Sequence, residues 1–159
     1  MPDPKREFLR HAVATLAYRC GKTLRDAPSS FAEFRAVEKT RTPVEILAHI
    51  GDLLDWVLSQ AAGKVEWHNS QPLPWTEEVA RFFAALEKFD AHLASDAPLA
   101  TPIEKLFQGA IADALTHTGQ LAMLRRMAGA PVKGENYSRA HITAGTVGSN
   151  QAAAVSEFD

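Results

Sequence analysis

The sequence predicts an all-α protein, a four-helix bundle with a long connection between the first two helices and an irregular C-terminal tail. Three observations lead to this fold class: apolar residues recur every three or four positions in four stretches, threonine–proline pairs open two of them, and glycine and proline separate them. A chain of 159 residues, 46% apolar and 23% charged, is long enough to bury one core. We therefore expect a single domain over residues 1–159, with the bundle at about 5–129 and the tail at 130–159.

The first helix is predicted from about Lys5 to Leu24, where apolar side chains follow a helical period. Asp3 and Pro4 suit the cap and the first turn of this helix. Residues 26–40 contain Pro28 and two serines but no regular apolar period. They are predicted to form a connection without a clear helix.

Threonine–proline pairs mark the start of the second and fourth helices. Thr42 can cap a helix, Pro43 suits its first position, and Glu45 can complete a capping box. The segment Thr101-Pro102-Ile103-Glu104 repeats this arrangement, and Gly129 supplies a stop after the last helix. The second, third and fourth helices are expected over about Pro43–Ala62, Thr76–Ser95 and Pro102–Ala128.

Charge and composition exclude several function classes. The formal net charge is -2 and the basic residues are scattered, which argues against a nucleic-acid partner. Apolar runs are interrupted by charges, and the N-terminal residues lack the apolar middle of a secretion signal, so we expect no membrane association and a bacterial-type cytoplasmic location. The single cysteine, Cys20, excludes an internal disulfide and is expected to be a buried, inert thiol.

Three polar residues fall on apolar stripes of the predicted helices. His49 shares a stripe with Ile46 and Leu53, so its imidazole is expected to point toward the core. Asp113 and His117 are four residues apart and therefore lie one above the other. The stripe through this pair continues to Leu106, Ala110, Leu121 and Leu124.

A buried carboxylate needs a partner, because even a neutral polar group costs about 2–7 kcal/mol to bury without one. One partner is a divalent cation held by His49, Asp113 and His117 with an open coordination position. The other reading is a buried ion pair between Asp113 and His117, with His49 hydrogen-bonded to a backbone carbonyl. The spacing leaves both readings open.

Other polar residues are candidates for supporting roles. Asp52 and Gln120 lie one turn beyond His49 and His117 and can orient these ligands, or can simply be solvated or bundle-lining side chains. His68 and the tail segment 134–138 can close over the mouth of a cavity, or can be plain surface. No residue is assigned as a catalytic acid, base or nucleophile.

The two helices that carry the candidate ligands resemble a known family. The second reads Thr42-Pro43-Val44-Glu45-Ile46-Leu47-Ala48-His49-Ile50-Gly51-Asp52, and the fourth reads Asp113-Ala114-Leu115-Thr116-His117-Thr118-Gly119-Gln120. This combination resembles the DinB/YfiT-like superfamily, in which a histidine on the second helix joins an H-x-x-x-H or D-x-x-x-H pair, followed by Gln, on the last bundle helix. The similarity covers most of residues 5–129.

The resemblance implies a DinB-like four-helix bundle that is often a homodimer and binds zinc, nickel, iron or manganese. Some members activate a low-molecular-weight thiol for transfer to an electrophile, and others are regarded as hydrolases. Carried over to this chain, His49 and His117 are ligands, and Asp113 occupies a position often held by a third histidine. Two histidines and one carboxylate suit iron, manganese or nickel as well as zinc, and zinc and nickel stand first only from the resemblance.

A metal-dependent enzyme is therefore expected, one in which the metal lowers the pKa of a bound water or thiol and presents the anion to a small-molecule substrate. This would be a hydrolase or a thiol transferase. The alternative is a non-catalytic helical module, stress-related or otherwise, in which a metal has a structural or sensory role.

Overall fold

The structure, a computed structural model, describes residues 1–158 and confirms the all-α class. Its helices are α1 (Pro4–Leu24), α2 (Pro43–Ala62), α3 (Trp75–Ala94), α4 (Ile103–Leu106) and α5 (Ala112–Met127). A π-helical turn, Phe107–Ile111, joins α4 to α5, so these three segments make one continuous fourth helix. Residues 26–40 form turns and bends, as predicted for a connection.

Local capping explains where α1 starts and where α2 starts and stops. The Asp3 carboxylate accepts a hydrogen bond from the amide of Lys5 at the start of α1. At α2, the Thr42 hydroxyl accepts from the Glu45 amide and the Glu45 carboxylate accepts from the Thr42 amide, which is the predicted capping box. Gly63 ends α2 with φ 81°, a left-handed conformation that glycine adopts at little cost.

The second threonine–proline pair does not cap its helix, so that prediction was wrong. The residue that precedes α4 is Pro102, and no side chain bonds the free amides there. Thr101 instead donates its hydroxyl to the carbonyl of Gln60 at 2.9 Å. The Thr101 side chain therefore ties the start of the fourth helix to the end of α2.

Four helices surround one core. α1 contacts α3 and α5, and α2 contacts the same two helices, so each helix has two neighbours. Fully buried leucines, isoleucines and phenylalanines from all four fill the centre: Leu16, Leu47, Ile50, Leu54, Phe82, Leu86, Phe89 and Ile111. Cys20 is buried among them, as predicted, and burial raises the pKa of its thiol to about 11.

The C-terminal tail packs against the bundle. Gly134–Glu135 pairs antiparallel with Glu157–Phe158, and Val147 is buried in the common core. The Glu135 carboxylate accepts hydrogen bonds from Tyr18 at 2.6 Å and from Lys22 at 2.7 Å. These contacts fix the tail against α1.

Within residues 1–158, the helices lack the combination of length and apolar character that crossing a bilayer requires.

Candidate metal centre

The structure brings His49, Asp113 and His117 together, although they lie on two helices. α2 carries His49, and α5 carries the other two residues one turn apart. One ligand atom from each residue can be chosen so that all three lie within 4.8 Å of one another. The two imidazole rings stand nearly perpendicular, 88° between planes, with centroids 4.7 Å apart.

The distances within this group are longer than hydrogen bonds. The Asp113 carboxylate lies 3.5 Å from His117 Nε2 and 3.8 Å from His49 Nε2. A good hydrogen bond between such groups is about 2.7–3.2 Å. Ligands about 2.1 Å from a tetrahedral metal stand about 3.4 Å apart, so this spacing is closer to that of ligands around an ion.

The alternative reading, a closed polar network, is less well matched. This interpretation predicts a buried ion pair between Asp113 and His117 and a hydrogen bond from His49 to a backbone carbonyl. Within residues 1–158, His49 forms no hydrogen bond to a backbone carbonyl. Asp113 and His117 do lie at ion-pair distance, 3.5 Å, but 47% of the Asp113 side chain is exposed, so this pair is not a buried one. The His49 and His117 side chains are only 20% and 12% exposed. Two largely buried imidazoles therefore face one carboxylate across a gap.

Asp113 is less buried than the apolar stripe predicted, since 47% of its side chain is exposed. The π-helical turn explains the difference. In this turn the amide of Ala112 bonds to the carbonyl of Phe107, five residues earlier, which adds one residue to the turn. One residue corresponds to about 100° around a helix, so the buried face moves to Ala114 and Thr118. Asp113 is left at the edge of the core, where solvent reaches it.

Gln120 contacts His117, which agrees with the first of the two interpretations of this residue. Its side-chain oxygen lies 2.9 Å from His117 Nδ1. When Nδ1 carries the proton, it donates to Gln120, and the lone pair of Nε2 is left facing Asp113. This tautomer is the one that binds a metal through Nε2.

The surroundings of His49 lower the pKa of its imidazole and so favour the neutral form. Burial lowers the pKa of His49, and the positive charge of Arg41 and the neighbouring His117 lower it further. Asp113 and Asp52 act in the opposite direction but do not outweigh these effects. A neutral imidazole is the form that binds a metal ion.

Among residues 1–158, Asp52 forms its hydrogen bonds with Ser70 and Arg81 and none with His49, the ligand for whose orientation it was a candidate. Its carboxylate accepts hydrogen bonds from the amide and hydroxyl of Ser70 at 2.9 and 2.7 Å, and from Arg81 at 2.6 Å. These bonds hold the connection between α2 and α3 against α2. Asp52 therefore helps to fix the path of the chain between α2 and α3.

The connection between α2 and α3 reaches the site through Trp67. The indole of Trp67 packs edge to face on His49 and on Trp56, with centroids 5.9 and 5.7 Å apart. His68 is directed to Glu66 at 3.5 Å and half of its side chain is exposed. The residue of this connection that contacts a candidate ligand is thus Trp67, the neighbour of the predicted His68.

Two open cavities adjoin the candidate ligands. A cavity of about 410 Å³, here called the apolar cavity, is lined by His117, Gln120 and the side chains of Ile46, Met123 and Leu124. A cavity of about 260 Å³, here called the polar cavity, is lined by His49, Asp52 and the segment 69–72. Arg41 lines both cavities. A ligand can therefore approach the group from solvent on either side.

The tail segment 134–138 lies elsewhere. Tyr137 packs on Tyr18 and under Arg19 of α1, and Glu135 bonds to the same helix. Neither cavity that adjoins the candidate ligands is lined by this segment. It does not close over the site.

Arg41 and Trp67 were not among the predicted site residues. A tryptophan in a polar connection was the only signal for Trp67, because ordinary surface loops seldom expose a large aromatic ring. The signal for Arg41 was its position in the chain: it directly precedes Thr42, the cap of α2, and His49 lies about two helical turns further along.

Comparisons of the chain with protein-family models, with curated proteins and with solved structures gave no match.

Proposed function

We propose that His49, Asp113 and His117 bind a divalent metal ion and that the protein is a metal-dependent enzyme. The observation that carries the proposal is the convergence of two largely buried imidazoles and one carboxylate, with Asp113 3.5 Å from His117 and 3.8 Å from His49. Two cavities beside the group give a substrate access to the metal.

Three protein ligands leave at least one coordination position open for water or a thiol. A bound metal lowers the pKa of such a molecule and supplies an anion that attacks an electrophile, as in hydrolysis or thiol transfer. Gln120 orients His117 in this scheme, and Trp67 excludes water from one side of His49.

The donor set supports several metals. Two histidines and one carboxylate suit zinc, nickel, manganese and iron(II). The resemblance to the DinB/YfiT-like superfamily puts zinc and nickel first. The same resemblance supports a low-molecular-weight thiol as co-substrate, a homodimer, and a cytoplasmic location, all of which we include in the proposal.

A second candidate function is a non-catalytic module in which the metal braces the bundle. It is favoured by one observation, that the ligands come from two packed helices, α2 and α5, which a metal would cross-link. Chelation would then lower the melting temperature of the protein, and no assay of hydrolysis or thiol transfer would detect turnover.

Elemental analysis of protein purified without a histidine tag tests the metal site. We expect close to one metal per chain in the native protein and loss of the metal in His49→Ala, Asp113→Asn and His117→Ala. His11→Ala is the control, because His11 is an exposed histidine of α1 that belongs to neither cavity.

No bound metal in the native protein, even after reconstitution with zinc, nickel, manganese or iron(II), would contradict the proposal. A metal that stays bound in all three variants would place the site elsewhere. Where the metal binds as expected, assays of hydrolysis and thiol transfer with native and His117→Ala protein decide between the enzyme and the structural module.

A further inference from the structure

We propose that Arg41 forms an anion-binding subsite beside the metal centre, and that the substrate is a small molecule with an anionic head group and an apolar body. This inference rests on the proposed function, because it assigns a substrate class to the same site. It adds a binding residue outside the predicted set of ligands and supporting residues.

Arg41 occupies the junction of the two cavities. It lines the apolar cavity together with His117, and it lines the polar cavity together with His49. A ligand that approaches the candidate metal through either cavity therefore passes Arg41.

The backbone on both sides of Arg41 is held in place. Arg35 donates a hydrogen bond to the carbonyl of Thr40, the residue before Arg41. The amide of Thr42, the residue after it, donates to Glu45 at 2.6 Å in the capping box. The capping box thus positions Arg41 at the site while its side chain stays available.

The Arg41 guanidinium has no carboxylate partner among residues 1–158, unlike several other arginines of the protein. Arg10 pairs with Asp90 at 2.9 Å, and Arg81 pairs with Asp52 at 2.6 Å. None of the ion pairs formed by the described residues includes Arg41. A guanidinium beside a cavity offers paired N–H donors that match the oxygens of a carboxylate or a sulfonate.

The linings of the two cavities indicate which cavity holds the part of the ligand that extends beyond its anionic head. The polar cavity carries the carboxylates of Glu45 and Asp52, which repel an anion that goes beyond Arg41 on that side. The apolar cavity is lined by Ala36, Ile46, Met123 and Leu124, and its volume of about 410 Å³ lies in the range of small-molecule sites. An anionic head at Arg41 with an apolar body over Ile46 and Met123 fits this distribution.

The test compares two probes with the same six-carbon chain on the zinc-loaded full-length protein. Hexane-1-sulfonate carries an anionic head that binds metals poorly, and hexan-1-ol carries a neutral one. Binding is measured by calorimetry with native protein, Arg41→Gln and Arg41→Lys. Arg126→Gln is the matched control, because Arg126 is an exposed arginine of α5 outside both cavities.

We expect native protein and Arg126→Gln to bind the sulfonate more tightly than the alcohol. Arg41→Gln should weaken sulfonate binding about tenfold and leave the alcohol unchanged, because one charge-assisted contact is lost. Arg41→Lys should fall between the two, since an ammonium group keeps the charge but not the paired donors. Equal affinity of the two probes for native protein, or unchanged sulfonate affinity in Arg41→Gln, overturns the subsite.

The zinc content of every variant is measured in parallel, so that the two proposals fail separately. Absence of any bound metal from native protein, after reconstitution with zinc, nickel, manganese and iron(II), overturns the metal centre, whatever the probes do. Sulfonate binding that is independent of Arg41 in a protein that holds zinc overturns the subsite alone.

Discussion

At the scale of single residues, the candidate ligands are prepared by their immediate neighbours. An imidazole binds a metal only through a nitrogen that carries no proton, so the partner of the other nitrogen decides which one is free. Gln120 accepts from His117 Nδ1 at 2.9 Å and lies one turn further along α5, where helical geometry holds it in place. Its amide thereby selects the tautomer in which Nε2 faces Asp113.

The contribution of Gln120 is testable by substitution. We expect Gln120→Ala to raise the dissociation constant for zinc about tenfold, because His117 loses the contact that orients its ring. The measurement is a competition with a chromogenic chelator. Gln108→Ala is the control, since Gln108 is an exposed glutamine of the same continuous helix. Equal zinc affinities in the two variants would show that the Gln120 contact has no part in metal binding.

At the scale of elements, Asp52 and Arg81 join α2, α3 and the connection between them. The Arg81 guanidinium donates to Asp52 at 2.6 Å, to Asp55 at 3.0 Å and to the carbonyl of Ala48 at 3.2 Å. Gly51 makes this approach possible, because a Cβ atom there would lie 2.7 Å from the guanidinium. Asp52 also binds Ser70, so the path of the connection that carries Trp67 depends on this buried carboxylate.

The stability that Asp52 contributes should depend on pH. Burial alone would raise the pKa of Asp52, but hydrogen bonds from Ser70 and Arg81 outweigh it, and the pKa is lowered from its ordinary value of 3.8. The folded state therefore binds fewer protons than the unfolded state in acid. The contribution is fully present above pH 3.8 and is lost as the pH falls through the lower, folded pKa.

Asp52→Asn tests this dependence. At pH 7 we expect the substitution to lower the free energy of unfolding by about 2 kcal/mol, and the difference from native protein to shrink as the pH falls below 3.8, both measured by urea denaturation. Asp55→Asn is the matched control, because Asp55 binds the same arginine with 40% of its side chain exposed, and we expect it to cost less than about 1 kcal/mol. A difference that grows in acid would mean that the sign assigned to the Asp52 pKa is wrong.

The two threonine–proline segments show which features of the fold the sequence can predict. Thr42 and Thr101 are followed by the same proline and glutamate pattern, yet only Thr42 forms a capping box. Thr101 bonds to Gln60, 41 residues away, and local spacing carries no information about such a contact. The other helix boundaries follow from caps and apolar period, which are local, and agree with the structure to within a residue or two.

The features of the candidate site also fall into those that the sequence predicts and those that it does not. The three candidate ligands were predictable because polar residues on an apolar stripe are visible at helical spacing. The exposure of Asp113 was not, because it depends on one extra residue in a π-helical turn. The positions of Trp67 and Arg41 depend on the paths of two connections, and those paths are set by long-range contacts such as that between Asp52 and Ser70.

At the scale of the whole molecule, the tail closes the bundle through a buried charge. The Glu135 side chain is fully buried and accepts from Tyr18 and Lys22, whose own side chains lie on α1. Burial and the bond to Glu135 raise the pKa of Tyr18, so its hydroxyl remains a donor in ordinary buffers. A carboxylate in this position stabilises the fold only while both donors are present.

The tail should therefore contribute to stability without affecting the metal. We expect Glu135→Ala to lower the free energy of unfolding by about 2 kcal/mol, because Tyr18 and Lys22 lose a buried partner. Glu157→Ala is the matched control: Glu157 binds the same lysine at 3.1 Å with 36% of its side chain exposed, and such pairs contribute less than about 1 kcal/mol. Urea denaturation measures the free energy of unfolding of both variants.

Elemental analysis measures their zinc content. Since the candidate ligands lie on α2 and α5 and the tail is bonded to α1, the zinc content should stay that of native protein in both variants. Loss of zinc from Glu135→Ala in conditions where the protein is folded would mean that the tail and the metal centre are coupled through α1.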